Sequence, residues 1–254
     1  MAKTKSERKS VSFESREDQG NDSDINGEDG SGIKKDEDTL KKEKEEDEAI
    51  RGSIPKLNNS LLTIPYHNLL ILGGMFYYGL TENVNEVLLN GLFSLIPIQI
   101  GYNYILYNNI KIKKKKNDNT NVPLLIIGSV IISLILAFPL FVFIILFGAP
   151  LINYITQTIL LSFHLSIILF NPLLIYFKFD INNLLVIFKA NKIYRLIFSH
   201  SVLSSSLAIV VGTWLGVVPI PLDWDRPWQQ WPITLLAGGY IGSVVGGIIS
   251  LVLS

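Results

Sequence analysis

The sequence has no cysteine and, over about three quarters of its length, very few acidic residues. The absence of cysteine excludes a disulfide, a thiolate metal site and a cysteine nucleophile. Of the 22 acids, only six follow residue 60: Glu82, Glu86, Asp118, Asp180, Asp223 and Asp225. Such scarcity is typical of a chain dissolved in lipid, where a charge at the centre of the bilayer costs at least ~2.5 kcal/mol.

The beginning of the chain has the opposite composition. Residues 1–60 contain 16 of the 22 acids and 12 of the 22 basic residues, with few large apolar side chains. A segment of this kind cannot bury enough apolar surface to offset the entropy of ordering it. We therefore expect residues 1–58 to form a disordered, charged tail.

Six apolar stretches occupy residues 59–254, each close to the ~20 residues that a helix needs to cross ~30 Å of hydrocarbon. They run over about 61–80, 87–107, 122–147, 154–177, 196–218 and 232–254. The third has no charge and no polar face, so the 3.6-residue amphipathic period of a surface helix is missing. The sequence predicts an all-α, polytopic membrane protein of about six transmembrane helices.

Basic residues mark alternate connections between these helices. The tail is rich in Lys and Arg, and the second and fourth connections carry Lys111, Lys113–Lys116, Lys178, Lys189, Lys192 and Arg195. Connections 81–86 and 148–153 have no basic residue, and 219–231 has only Arg226. By the positive-inside rule, both termini are cytosolic and these three connections face the lumen or the exterior.

The connection between the fifth and sixth stretches has an unusual composition. It and its flanks hold all four tryptophans and four prolines: Trp214, Trp224, Trp228, Trp231, Pro219, Pro221, Pro227 and Pro232. Proline lacks an N–H donor and fixes φ, so the chain has to leave the bilayer near Pro219 and re-enter it near Pro232. Indole rings favour the head-group region. We predict a non-cytosolic loop, rich in Pro and Trp, at 219–232.

Charged residues lie in the middle of this loop. If the backbone is extended there, Asp223 and Asp225 point to the same side, and Arg226 can pair with either carboxylate. Two interpretations stay open: a site that contacts a lipid head group or a partner's lumenal domain, and a rigid interfacial loop whose ion pair satisfies itself. The candidate contact residues are Pro221, Asp223, Trp224, Asp225, Arg226, Pro227, Trp228 and Trp231.

Small residues recur every four positions in the helices on both sides of the loop. They include Gly212 and Gly216 in the fifth stretch, and Gly238, Gly242 and Gly246 in the sixth. This spacing forms a flat ridge that lets helix backbones approach closely in lipid. Either the fifth and sixth helices pack on each other, or a partner's transmembrane helix docks on a ridge.

Few residues could support catalysis. Lipid phosphotransfer would require clustered acids that hold a divalent metal, or a histidine–arginine set. After residue 60, Asp223 and Asp225 are the one pair of acids within two positions of each other. We expect no catalytic residue, metal, cofactor or nucleic-acid partner. Two alternatives stay open: a lipid-phosphate enzyme that uses Asp223 and Asp225, and a small lipid transporter, although no internal repeat is evident.

The loop and its flanks resemble the signature of the PIG-F family. The similar segments are Gly212–Gly216, Pro219–Trp228 and Trp231–Pro232, and Gly148–Leu151 is similar to the family's central region. The resemblance implies a multi-pass protein of the endoplasmic reticulum that takes part in glycosylphosphatidylinositol (GPI) anchor biosynthesis.

The same resemblance implies a role without catalysis. Proteins of this family stabilise the enzymes that transfer ethanolamine phosphate from phosphatidylethanolamine to mannoses of the GPI precursor. The catalytic domain, metal-dependent and lumenal, belongs to those enzymes. The expected partners of this chain are therefore catalytic subunits of GPI ethanolamine phosphate transferases, together with a contact to the GPI precursor or a phospholipid. The charged tail has no counterpart in the family.

Overall fold

The computed structural model describes residues 55–57, 60–111, 121–150, 152–188, 193–222 and 224–253, together with residue 52. The tail predicted for 1–58 lies outside these ranges, apart from residues 52 and 55–57. Among the site residues expected from the sequence, Asp223 also lies outside the described residues.

The described residues form eight helices. They are α1 (Tyr66–Tyr77), α2 (Val84–Asn109), α3 (Val122–Leu146), α4 (Ile155–Phe177), α5 (Ile181–Ile187), α6 (Ile193–Phe198), α7 (Ser201–Leu215) and α8 (Ile233–Leu253). Short 3₁₀ turns occur at Leu61–Thr63 and Pro227–Gln229. Two strands of two residues each, β1 (Lys56–Leu57) and β2 (Ile110–Lys111), pair antiparallel. The all-α prediction is confirmed.

Four of these helices, α2, α3, α4 and α8, are long and apolar enough to cross a membrane. By contrast, α1 has 12 residues and α7 has 15. At ~1.5 Å per residue they extend roughly 18 and 22 Å, less than the ~30 Å of hydrocarbon. The polytopic membrane architecture is confirmed, but the count of six spans exceeds the four that helix length and composition support.

Local sequence explains both short helices. Helix α1 begins after Pro65 and ends just before Gly79, whose φ of 84° is left-handed and suits glycine. The stretch predicted at 196–218 is divided between α6 and α7, because the backbone of His200 is extended (φ −126°, ψ 122°). Helix α7 ends at Leu215, four residues before Pro219, which has no N–H to donate to the Leu215 carbonyl.

Helix α4 lies at the centre of the bundle. It contacts α2, α3, α7 and α8. Of its 18 most apolar consecutive residues 67% are buried, against 22% for α3. The central position of α4 brings its polar side chains into the interior. There the His164 ring hydrogen-bonds with the Tyr240 hydroxyl (2.6 Å) and the Leu88 carbonyl oxygen (2.9 Å).

The other two histidines are also hydrogen-bonded. His67 Nε2 lies 2.9 Å from Gln99 Oε1, and His200 Nδ1 lies 3.0 Å from the Leu196 carbonyl oxygen. Each of the three rings therefore makes at least one hydrogen bond to a neutral group within the protein, as a packing residue does.

Two apolar clusters define the ends of the bundle. One contains Leu80, Val84, Leu160, Trp231 and Ile233, so the beginnings of α2, α4 and α8 meet there. We call this the loop end. The second cluster gathers residues from the end of α2, the beginning of α3, the end of α4 and helix α6: Leu106, Val122, Phe177 and Leu196. Alternate connections therefore lie at opposite ends, as a chain that crosses back and forth requires.

Candidate functional site

The connection between α7 and α8 is the candidate site, and it is built from consecutive tight turns. Backbone N–H groups of Val217, Val218, Ile220 and Leu222 each donate to the carbonyl three residues earlier. After Asp223, which is not described, the chain runs through Trp224 to the 3₁₀ turn and returns at Ile233. The prolines at 219, 221, 227 and 232 do not oppose this path, because turns place few demands on their missing N–H groups.

Gln229 holds the loop together. Its side-chain Nε2 donates to the carbonyl oxygens of Pro219 (2.7 Å) and Leu222 (2.9 Å), and its Oε1 accepts from the backbone N–H of Arg226 (2.8 Å). One amide thereby joins the first half of the loop to the second and gives each of these two carbonyls a second donor besides the backbone N–H of Leu222 or Trp224. The sequence-based site omits Gln229. The signal that could have identified it is an amide side chain three residues after Arg226, where it can reach back to that N–H.

Trp231 anchors the loop to the bundle. Its indole Nε1 donates to Thr158 Oγ1 in the first turn of α4 (3.0 Å), and its partly buried ring packs against the apolar cluster of the loop end. The peptide bond to Pro232 is cis. The structure thus places Trp231 against α4, whereas the other two tryptophans of the loop face outward.

Trp224 and Trp228 form an exposed pair at the loop end. Their ring centroids are 5.9 Å apart and their planes meet at 60°, the edge-on geometry that aromatic rings favour. The Trp224 side chain is 55% exposed and that of Trp228 is 37% exposed. Ile220 and Leu222 are also exposed beside them in sequence. A pair of this kind can bury apolar surface against a partner or sit at the head-group level of a membrane.

The charged residues are arranged differently from the extended geometry that the sequence suggested. Asp225 has φ 47°, a left-handed conformation, so the backbone is not extended at this position. An extended backbone was the condition under which Asp223 and Asp225 would point to the same side, and Asp225 does not meet it. Asp225 and Arg226 are both exposed, as are Pro221 and Pro227. Within the described residues, no three His, Cys, Asp or Glu side chains are placed to hold a metal ion.

The glycine ridges lie between α7 and α8, the two helices that the loop connects. A Cβ added to Gly212 or Gly238 would overlap the carbonyl oxygen of the other. Likewise, a Cβ on Gly216 would overlap the backbone of Thr234, one on Gly242 that of Ala208, and one on Gly246 that of Ser204. The Ser204 hydroxyl also donates to the Gly246 carbonyl across the contact (2.7 Å). These glycines are used within the chain, where backbone meets backbone.

Comparison with known proteins gives a consistent picture. The profile of the GPI biosynthesis protein family Pig-F matches residues 63–251. The chain is 50% identical over 220 residues to glycosylphosphatidylinositol anchor biosynthesis protein 11 of Candida albicans, covering 79% of this chain and 83% of the relative. Proteins of the same name from Debaryomyces hansenii and Saccharomyces cerevisiae are 48% identical over 202 residues and 36% identical over 186. These alignments cover 78% and 73% of this chain and 86% and 75% of the relatives. No solved structure matches.

Proposed function

Since the chain belongs to the GPI biosynthesis protein family Pig-F, we propose that it is a non-catalytic subunit that stabilises an ethanolamine phosphate transferase. The transferase modifies a mannose of the GPI precursor in the membrane of the endoplasmic reticulum. In this proposal both termini are cytosolic, and the loop at 219–232 faces the lumen, where it contacts the catalytic subunit.

The outward-facing tryptophan pair carries this proposal. Trp224 and Trp228 are exposed together, while Gln229 and Trp231 fix the backbone on which they stand. A partner that covers the pair therefore meets a preformed surface and spends little free energy on ordering the loop. Tryptophan is also the residue type most enriched among the side chains that dominate interface energies.

The position of the glycine ridges supports a contact at the loop. Because α7 and α8 pack backbone to backbone through Gly212, Gly238 and Gly242, these glycines are covered within the chain. A partner's transmembrane helix would have to pull α7 from α8 in order to reach them. We therefore do not propose that a partner's transmembrane helix docks on these ridges, the alternative that the sequence left open.

The arrangement of connections supports the proposed orientation. The beginnings of α2, α4 and α8, which follow connections poor in basic residues, meet at the loop end. The end of α2, which precedes Lys111 and Lys113–Lys116, lies at the opposite end, as does Arg195 in α6. Positive charge is retained on the cytosolic side during insertion, so the opposite end corresponds to the cytosol.

The proposal is tested first in cells that lack this gene, by mass spectrometry of their GPI precursors. We expect a mannosylated intermediate to accumulate without ethanolamine phosphate on its third mannose. A normal precursor profile with unchanged surface GPI-anchored proteins would refute the proposal.

The contact itself is tested by returning the double variant Asp225→Ala and Arg226→Ala to those cells. The chain should be expressed at the normal level, since both side chains are exposed, but should retain less transferase on co-purification. If co-purification and GPI maturation both stay intact, these two residues do not belong to the partner contact.

A further inference from the structure

A groove opens between α1 and α2 near the loop end. Its volume is about 650 Å³, which lies within the ~300–1,000 Å³ of small-molecule sites. It extends along α2 from Asn83 to Ile98, a length of roughly 22 Å at ~1.5 Å per residue. Its mean cross-section is then roughly 30 Å², enough for a single hydrocarbon chain.

One wall of the groove is polar. Glu86, Asn90 and Ser94 recur every four residues on α2, so they lie one above the other on the same face. All three are exposed, and the Ser94 hydroxyl donates to the Asn90 carbonyl. A helix surface turned towards hydrocarbon does not normally carry an exposed carboxylate and an exposed amide in one row, because such groups are costly in lipid. The row therefore indicates an occupant with polar atoms of its own.

The opposite wall is apolar and open. Leu70, Ile71 and Met75 of α1 line it, together with Gly74. A Cβ added to Gly74 would meet nothing within 4 Å, so free space extends up to the α1 backbone. The groove thus combines an apolar wall that suits an acyl chain with a polar row that suits a head group.

The charge in the groove selects the head group. Glu86 is the one charged residue that lines it, and no Lys, Arg or His does. Helix α2 has 26 residues, which makes it ~39 Å long against ~30 Å of hydrocarbon, so its first turn reaches the head-group level. Glu86 lies in that first turn. The groove accordingly has an uncompensated carboxylate at its head-group end, which repels an anionic head group.

We propose that this groove binds a membrane lipid whose head group carries a primary ammonium. The ammonium donates to the Glu86 carboxylate and to the side-chain carbonyl oxygens of Asn83 or Asn90, while one acyl chain runs along Leu70 and towards Ile98. A quaternary ammonium has no N–H to donate, and Tyr78 alone does not form the aromatic cage that such a group requires. The binding site depends on the groove alone and not on the transferase contact.

The test uses the full-length chain in phosphatidylcholine nanodiscs that contain a small fraction of phosphatidylethanolamine with a photoactivatable acyl chain. Cross-linked peptides should contain Leu70 or Ile98. The labelling should be competed by unlabelled phosphatidylethanolamine but not by phosphatidylcholine or phosphatidic acid. Equal competition by all three lipids, or strongest competition by phosphatidic acid, would overturn the proposal.

Two variants and one control separate the head-group contact from the acyl contact. Glu86→Gln keeps an acceptor oxygen but removes its charge, and it should reduce labelling about tenfold, the size expected when a hydrogen bond between two charged groups loses one of the charges. Glu82→Gln removes an exposed carboxylate four residues earlier that does not line the groove, and it should leave labelling unchanged. Gly74→Leu fills the open space without a clash at Cβ, and it should abolish labelling while the chain stays folded.

Unchanged labelling in both Glu86→Gln and Gly74→Leu would show that the lipid binds elsewhere. A photoreactive residue at position 94 that captures a protein helix in native membranes, instead of lipid, would show that a partner occupies the groove. Co-purification of the transferase is measured separately in the same variants, so failure of the lipid site is distinguishable from failure of the proposed function.

Discussion

Replacing both exposed tryptophans of the loop, Trp224→Ala with Trp228→Ala, should weaken partner binding far more than it weakens the fold. The exposed parts of the two side chains, 55% and 37%, together amount to about nine tenths of one tryptophan. A tryptophan buries ~200 Å², so the pair offers about 180 Å² to a partner. At ~25 cal/mol per Å², complete coverage is worth about 4.5 kcal/mol.

A partner that covers half of this area would gain ~2 kcal/mol, so we expect its affinity to fall at least roughly thirtyfold in the double variant. The loss to folding should be smaller, because the contact between the two rings contributes only ~0.5–1.5 kcal/mol. The assay is a titration of the purified transferase against the chain in nanodiscs, with thermal unfolding of the chain measured in parallel.

The matched control replaces two exposed aromatic residues at the opposite end of the bundle, Tyr104→Ala with Tyr194→Ala. Their side chains are 57% and 60% exposed, similar to or more than those of the tryptophan pair. We expect the control to bind with unchanged affinity. The reasoning is refuted if the tryptophan variant binds within twofold of the unchanged chain, or if both double variants lose affinity equally.

Three further predictions concern the structure that supports the loop. Gly238→Leu should separate α7 from α8 and destabilise the chain by ~3 kcal/mol or more, because the new side chain overlaps the backbone of Gly212. The control variant Gly73→Leu places the same side chain on an open face of α1 and should unfold at the normal temperature. Gln229→Leu removes three hydrogen bonds within the loop and leaves the Arg226 N–H without its side-chain acceptor. The loop should then exchange amide hydrogens faster, at a cost of ~1–3 kcal/mol, whereas the loop in the control variant Gln230→Leu, at an exposed position, should exchange normally. Trp231→Phe removes one hydrogen bond to α4 and should lower the free energy of unfolding by ~0.5–1.5 kcal/mol, and an unchanged value would show that the bond is not formed.

The class of the protein could be predicted from the sequence, whereas the number of full spans could not. Uninterrupted apolar composition identifies a helix that prefers lipid, and α3 and α8 agree with their predicted stretches to within a residue or two. The first and fifth stretches were predicted too long, because Gly79 and the extended backbone at His200 end or divide helices inside apolar sequence. Hydropathy averaged over ~20 residues does not register such breaks, since a few small or polar residues hardly change the mean of a long apolar stretch.

The loop shows the same division between local and tertiary information. Its place at 219–232 and its wealth of Trp and Pro were evident from composition alone. Which tryptophan faces inward depends on Thr158, 73 residues away in the chain. The function of Gln229 likewise depends on two carbonyls that only the folded loop brings within reach.

By itself the sequence determined that the chain is helical, that it lies in a membrane and in which order its connections alternate, because these follow from properties of each segment taken alone. The resemblance of residues 212–232 to the PIG-F family also required no coordinates. Only the tertiary structure decided that the glycine ridges of α7 and α8 pack against each other and that Glu86 lines an open groove. The reason is physical: close approach of backbones and the space between helices are properties of pairs of segments, and no single segment encodes them.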